Sequence, residues 1–356
     1  MNTKAKAYGK ILLFGGYSIL ESGNIGLVVN VDKGTTTTVE ETRSGRMVLN
    51  LKNFEIIVEG YREEHKLFFK KEPKVIIYLK NAIEYSYLYL KSQNIKLKDI
   101  KLISHNDPEL GNDKFHKTGF GSSATATVSA VAAILYLHGI EDRDLVYKIC
   151  RFSHYHSQGS GSGFDVFSTV YGSQFFSKIE ENMDVEFFDY LDKVKIPQVE
   201  DFYWPRNLIP VIIFTGKSAS TNKLVKKVLN FKKKDISKYN SIMRRYNLVN
   251  LKCKEAFINN NLRKISYYLE QATEFMNKLG ESSKCQIIPK NYETVFENLK
   301  ANGAYTANLV GAGGGDIIFC TTKTKFDQKN LIEYCNKRNL IVFDKMKVVN
   351  RGYELI

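Results

Sequence analysis

The run 118-TGFGSSATATVSAVAAILYLHGI-140 contains no Asp, Glu, Lys or Arg. So long an uncharged stretch can fold as a membrane span, as a buried helix, or as a glycine-rich loop feeding a helix N-terminus. A span needs about 20 consecutive apolar residues. The first half of this run is Gly, Ser, Thr and Ala, and only Val128 to Leu137 is densely apolar. A span is therefore excluded. The run predicts a buried helix over about 122–138, with Gly139 in the position of a C-terminal glycine.

Two accounts of the helix start stay open on these residues alone. In one, Ser122 or Ser123 is the N-cap and the glycines form a tight entry turn. In the other, the loop also takes a ligand. Backbone N–H groups of a glycine-rich turn, added to the positive end of a helix, bind phosphate, and Lys117 sits at the loop's mouth. The common nucleotide loops are absent. The one GKS, Gly216-Lys217-Ser218, has Val211 where the first glycine of G-x-x-x-x-G-K-[ST] belongs, and 159-GSGSGF-164 lacks the G-x-G-x-x-G spacing.

A length of 356 residues suggests about two domains. Five cysteines form no C-x-x-C pair, so no zinc site or disulfide framework is signalled, and a cytoplasmic setting is expected. No signal peptide is read at the N-terminus. The net charge of +14 comes from scattered lysines. It fits a solvated surface or attraction of small anions, with no nucleic-acid or membrane partner expected. His154 and His156 would point to different faces of a helix, which argues against a metal pair.

Along the chain, strands are expected at 10–14, 27–40, 47–58, 65–70, 100–104 and 208–215. Helices are expected at about 75–93, 122–138 and 142–157, and a loop over 159–163 enters a further helix. The helix at 75–93 would bury Val75, Tyr78, Leu79, Ile83 and Tyr87. Long helices follow at 236–259 and 262–279, the second closed by Gly280. A short helix at 291–300, strands at 305–310 and 316–321, a helix at 327–338 and strands near 340–349 complete the chain. Strand groups with interspersed helices predict an α+β fold in two domains, 1–205 and 206–356.

Three glycine-rich segments stand at element junctions: 7-AYGKILLFGGY-17, 117-KTGFGSSA-124 and 309-LVGAGGGDI-317, with 160-SGSGFD-165 between the last two. In order and chemistry they resemble the motifs of the GHMP kinases, a family of small-molecule kinases. Those carry A-P-G-K with a glycine pair, a phosphate loop G-L-G-S-S-A, and a late G-A-G-G-G turn. Within that family, Lys117 to Ser123, Gly15-Gly16-Tyr17, 162-SGFDV-166 with 171-YGS-173, and the 215-TGKSAST-221 stretch are most similar to phosphomevalonate kinases. Two substitutions depart from the pattern: Tyr8 stands for the usual proline, which would loosen the first turn, and Phe120 for leucine.

The resemblance implies a two-domain GHMP kinase fold, with a ribosomal S5 domain 2-like N-terminal domain and a ferredoxin-like C-terminal domain. It implies ATP and Mg²⁺ as cofactors and phosphomevalonate as substrate, in a monomer or homodimer. Lys117, Gly119, Gly121, Ser122, Ser123 and Ala124 would hold the ATP phosphates, with Ser123 also on the metal. Lys10 and Asp165 would be catalytic, although Ser162-x-x-Asp165 also has capping-box spacing. Tyr17, Ser104, Asn106, Ser160, Ser162, Ser218, Ser220, Gly313 and Gly314 would meet the acceptor, with Lys117 and Lys223 as further phosphate partners. Asp316 is left as a turn cap or a metal-side carboxylate. The alternatives are another GHMP small-molecule kinase, such as mevalonate kinase, or a non-catalytic sensor of the same fold.

Overall fold

The computed structural model describes residues 2–42, 45–111, 118–216, 221–315 and 317–356. In the first half, β1 (Asn2–Phe14), β2 (Ile25–Glu41), β3 (Met47–Leu51), β4 (Ile56–Glu63) and β5 (Lys66–Phe69) precede α1 (Ile77–Ser92) and β6 (Ile100–Asn106). Then come α2 (Ser122–Leu137), α3 (Arg143–Gln158), α4 (Phe164–Tyr171), β7 (Gln174–Ser177) and α5 (Phe187–Lys193). The second half runs β8 (Ile209–Phe214), α6 (Thr221–Lys234), α7 (Ile236–Ile258), α8 (Leu262–Ser282), α9 (Tyr292–Ala301), β9 (Thr306–Leu309) and β10 (Ile317–Thr322). It ends with α10 (Lys325–Asn336), β11 (Ile341–Val342), β12 (Val348–Val349) and β13 (Tyr353–Leu355).

The first sheet has the order β13-β1-β2-β6-β3-β4-β5, with β7 and β12 also paired to β2. Only the β3–β6 pair among its pairings is parallel. The second sheet, β11-β8-β10-β9, is antiparallel. Its strands and the helices between them follow β-α-β-β-α-β, which is the ferredoxin-like arrangement. The expected α+β class is observed in both halves.

β1 is much longer than the strand expected at 10–14. Its first residues alternate, with Lys4 exposed and Lys6 half-buried while Ala5 and Ala7 are fully buried. The threonine run of β2 continues this alternation: Thr35 and Thr37 pair with Ala7 and Ala5 and point inward. Their hydroxyls meet α2, Thr35 to Thr125 at 2.6 Å and Thr37 to Ser129 at 2.7 Å. Thr35 also donates to Asn106 on β6 at 2.7 Å. Small residues let α2 lie this close to the sheet, and its hydrogen-bonded hydroxyls carry no desolvation penalty. The uncharged run is thus a core helix, and among the described residues no helix is long and apolar enough to cross a membrane.

Several boundaries differ from expectation for local reasons. The strand expected at 47–58 breaks at a turn where Glu55 takes a left-handed conformation. The strands expected near 340–349 are two short ones in different sheets, β11 on β8 and β12 on β2. α8 continues through Gly280 to Ser282, and the glycine gives room for the Cys285 carbonyl, which a side chain there would press on. α6 was not expected: its lysine-rich sequence buries only Val228 and Phe231. The last strands of the expected second domain return to the first sheet, β12 on β2 and β13 on β1.

Thr35→Val would leave Asn106 and Thr125 short of a buried partner. It is expected to cost about 1–3 kcal/mol in urea unfolding, with Thr35→Ser close to wild type. An unchanged midpoint for the valine variant would contradict the hydroxyl contacts between β2 and α2.

Candidate active site

The loop before α2 is built around Gly121, the N-cap residue, at φ +82°. No side chain caps the helix. Ser122 and Ser123 lie in its first turn, so the expected serine N-cap is not formed. A Cβ at Gly121 would lie 2.7 Å from Cε of Lys10, so a side chain there would strain the left-handed backbone and push the lysine aside. Lys10 crosses the loop: its backbone N–H donates to the Phe120 carbonyl at 2.9 Å, and its Nζ donates to the Gly119 carbonyl at 3.1 Å. Gly119 is exposed, Ser122 and Ser123 are half-buried, and Ala124 is buried behind them.

The two substitutions in the motifs fit this packing. Tyr8 donates its N–H to the Gly352 carbonyl at 2.9 Å, a bond proline cannot make, and its hydroxyl donates to Glu354 at 3.0 Å. The first turn is therefore held by the C-terminal segment and not loosened. Phe120 is fully buried, with its ring edge-on to Phe343 at 5.4 Å.

Asp165 stands in the first turn of α4 and accepts from its neighbour's N–H, that of Val166, at 2.9 Å. The N-cap is Gly163, and no side chain caps the helix, so the capping box allowed by Ser162 is absent. Burial pushes the Asp165 carboxyl up. His154, Lys10, the Val166 N–H and Arg151 outweigh this and hold it below the usual carboxylate value. Burial lowers the Lys10 pKa, and the Asp165 charge partly restores it. Lys10 therefore donates to a loop carbonyl while sitting in the field of the carboxylate.

α3 supplies the support beneath Asp165. Arg151 is buried, forms a tight ion pair with Glu181, and donates to the Gly161 carbonyl at 3.2 Å. This fixes the 159–163 loop that leads into α4. One turn further on, His154 places Nε2 at 3.1 Å from Ser123 Oγ and 3.9 Å from Asp165 Oδ2. Burial holds its pKa down, with Asp165 opposing. Tyr78, expected on the core stripe of α1, is only half-buried, with its ring 5.3 Å from His154.

The third glycine segment closes the other side. The Gly311 N–H donates to the Leu12 carbonyl at 2.9 Å, and the Gly314 N–H to the Ile287 carbonyl at 2.7 Å. Thr215 and Tyr292 both donate to the Gly315 carbonyl. Gly313 is buried and Gly314 half-buried.

The other expected acceptor residues fall in different places. Tyr17 is fully buried and donates to the Ala312 carbonyl at 2.8 Å, so it braces the third loop. Ser104 is buried opposite Thr37, and Asn106 is bonded to Thr35 and Asn53. Ser160 is exposed, Ser162 half-buried, and Lys223 exposed on α6. Lys117, Ser218, Ser220 and Asp316 lie outside the described residues.

No cluster of three or more His, Cys, Asp or Glu suited to a metal occurs among the described residues. Mg²⁺ does not need one, because it commonly takes one or two protein oxygens and completes its shell with phosphate and water. The Ser123 hydroxyl and the Asp165 carboxylate, both facing His154 Nε2, fit such a donor set. His154 and Arg151 are the site residues the motifs did not bring out. The available signal was an Arg and a His at i, i+3, which share one face of a helix otherwise rich in core residues.

Two family models match this chain: the GHMP kinases N terminal domain over residues 78–173 and the GHMP kinases C terminal model over 254–340. The chain belongs to the GHMP kinase family. It is 29% identical over 348 residues to a phosphomevalonate kinase of Saccharolobus solfataricus, covering 96% of each chain. The fold matches a crystal structure of the Lin0012 protein of Listeria innocua, with a TM-score of 0.89 at 22% identity over 100% of this chain and 99% of that one. It also matches a Streptococcus pneumoniae phosphomevalonate kinase in complex with phosphomevalonate and AMPPNP. The TM-score there is 0.77 at 16% identity, over 98% of this chain and 100% of that one.

The lowered pKa of Asp165 carries a pH signature. Its ionised form favours the fold, so this contribution is present above the ordinary value of 3.8 and is lost as pH falls through the lower folded value. Asp165→Asn is expected to lower the melting temperature at pH 7, with the gap to wild type narrowing as pH falls below 3.8. A gap of constant size down to pH 3 would contradict the coupling.

Proposed function

We propose that this chain is an ATP-dependent phosphomevalonate kinase, transferring the γ-phosphoryl group of Mg-ATP to (R)-5-phosphomevalonate. The observation that carries the phosphoryl-transfer reading is Lys10, stretched across the loop at the uncapped start of α2 and coupled to Asp165. Support for the acceptor comes from the end-to-end similarity to the Saccharolobus solfataricus enzyme and from the motif details around Lys117, Tyr17 and Asp165.

Phosphoryl transfer depends on positioning and charge stabilisation. In this reading the N–H groups of Gly121, Ser122 and Ser123 and the positive end of α2 receive the ATP phosphates. Ser123 offers a hydroxyl to Mg²⁺, which neutralises phosphate charge when bound. Lys10 meets the negative charge on the transferred group. The acceptor oxygen of phosphomevalonate already belongs to an anionic phosphate, so it attacks with little need for deprotonation. The new P–O bond forms to Pγ, the bond from Pγ to the β-phosphate oxygen breaks, and ADP leaves with that electron pair. Asp165 keeps Lys10 charged and orients the acceptor or metal. The nucleotide side would lie in residues 1–205, and the third glycine turn of 206–356 would face the acceptor.

Asp165→Asn is expected to lower kcat by about 100- to 10,000-fold with ATP affinity nearly unchanged. Near-wild-type turnover would remove Asp165 from the chemistry. Gly121→Ala is expected to weaken nucleotide binding at least about tenfold, because the new methyl group displaces Lys10 and strains the loop. Unchanged nucleotide affinity would contradict the proposed phosphate site. The acceptor is tested by ADP release with mevalonate, mevalonate 5-phosphate and mevalonate 5-diphosphate offered separately. Turnover with the monophosphate alone, without CO₂, is expected. Turnover with mevalonate would keep the kinase and change the substrate, and no turnover on any of the three would contradict the proposal.

A further inference from the structure

His154 has no role in the family motifs recognised in the sequence, yet it sits between the two groups the proposed mechanism uses. Its ring is buried, and its Nε2 lies 3.1 Å from Ser123 Oγ and 3.9 Å from Asp165 Oδ2. A neutral imidazole has one N–H and one lone pair. Turning the lone pair toward Nε2 would set it against the carboxylate, so the proton belongs on Nε2, an assignment made from the neighbours. Nε2–H then donates to Ser123 Oγ. A hydroxyl has one hydrogen and two acceptor lone pairs. The hydroxyl hydrogen faces the Tyr78 oxygen, to which Ser123 is hydrogen-bonded, so with one lone pair engaged by His154 the other is left for what binds at the start of α2. Tyr78 packs its ring against the imidazole, with centroids 5.3 Å apart, and the α3 backbone is tied down one turn earlier by the Arg151–Glu181 pair.

We infer that His154 is a positioning residue that holds the Ser123 hydroxyl in the orientation from which its oxygen can ligate the metal of the bound nucleotide. The inference rests on the proposed nucleotide site at α2, but not on the identity of the acceptor. Groups that orient a metal ligand through a hydrogen bond are commonly worth about 10- to 100-fold in metal affinity. A residue that only fills space beneath the loop would change metal-bound and metal-free nucleotide binding together.

The test is Mn²⁺ binding to the full-length protein saturated with AMPPNP, read by electron paramagnetic resonance, beside AMPPNP affinity in EDTA. His154→Ala is expected to weaken Mn²⁺ binding at least about tenfold, with metal-free AMPPNP affinity within about twofold of wild type. Ser123→Ala should give a similar loss. The double variant should lose little more than either single one, since residues acting through one contact are not additive. His154→Gln, which keeps an N–H donor, should recover most of the affinity. Wild-type Mn²⁺ affinity in His154→Ala would overturn the inference, as would fully additive losses in the double variant or a glutamine variant no better than alanine. If wild-type protein bound no AMPPNP, the nucleotide site itself would fall and this role with it. Normal AMPPNP binding with an unaffected His154→Ala would remove this role alone.

Discussion

Lys10 organises the site because it bonds to the glycine loop before α2 twice, through its backbone N–H to Phe120 and through its ammonium to Gly119. The same side chain lies against Gly121, where a Cβ would push it aside. Loop shape and charge position are therefore one constraint. Burial works against a charged ammonium in such a place, and Asp165 is the group that opposes the effect. The carboxylate in turn depends on Lys10, His154 and Arg151 to stay ionised while buried. Charge at this site is sustained by the coupling, and removing either end leaves the other buried with less compensation.

The rest of the architecture keeps these parts in register. β1 carries Lys10, and its partner β2 presents threonine hydroxyls to α2, so strand and helix are fixed to one another by buried polar contacts as well as packing. α3 holds Asp165 from below through the Arg151–Glu181 pair and His154. The third glycine turn is anchored to the first motif by Gly311 and Leu12, and Tyr17 supports it through Ala312. The C-terminal strands return to β1 and β2, and the Tyr8 N–H is bound by Gly352. Both ends of the chain thus meet at the strand that carries the lysine.

The sequence made much of this legible. The uncharged run read correctly as a buried helix with a glycine entry, and the three glycine segments pointed to the family whose models match the chain. What it could not give was where side chains turn. The serines after Gly121 looked like caps, but glycine occupies the cap and the serines enter the first turn. Tyr17 sat in a motif associated with substrate, yet the helices around it form a core that encloses it completely. Tyr78 fitted an apolar stripe and instead reaches His154. α6 escaped notice because its lysines conceal a narrow buried face. His154 looked like half of a failed metal pair, since its real partners, Ser123 and Asp165, come from other helices. Each of these depends on long-range packing, which periodicity along one segment does not encode.

The central claim is that the uncapped start of α2, crossed by Lys10, receives the nucleotide phosphates. A crystal structure of the protein with AMPPNP and Mg²⁺ tests it most directly. The account predicts phosphate oxygens within hydrogen-bond distance, about 2.7–3.2 Å, of the Ser122 and Ser123 N–H groups, with the Lys10 ammonium on the terminal phosphate. Phosphates bound at the 311–315 turn or elsewhere, with the start of α2 free of them, would contradict it.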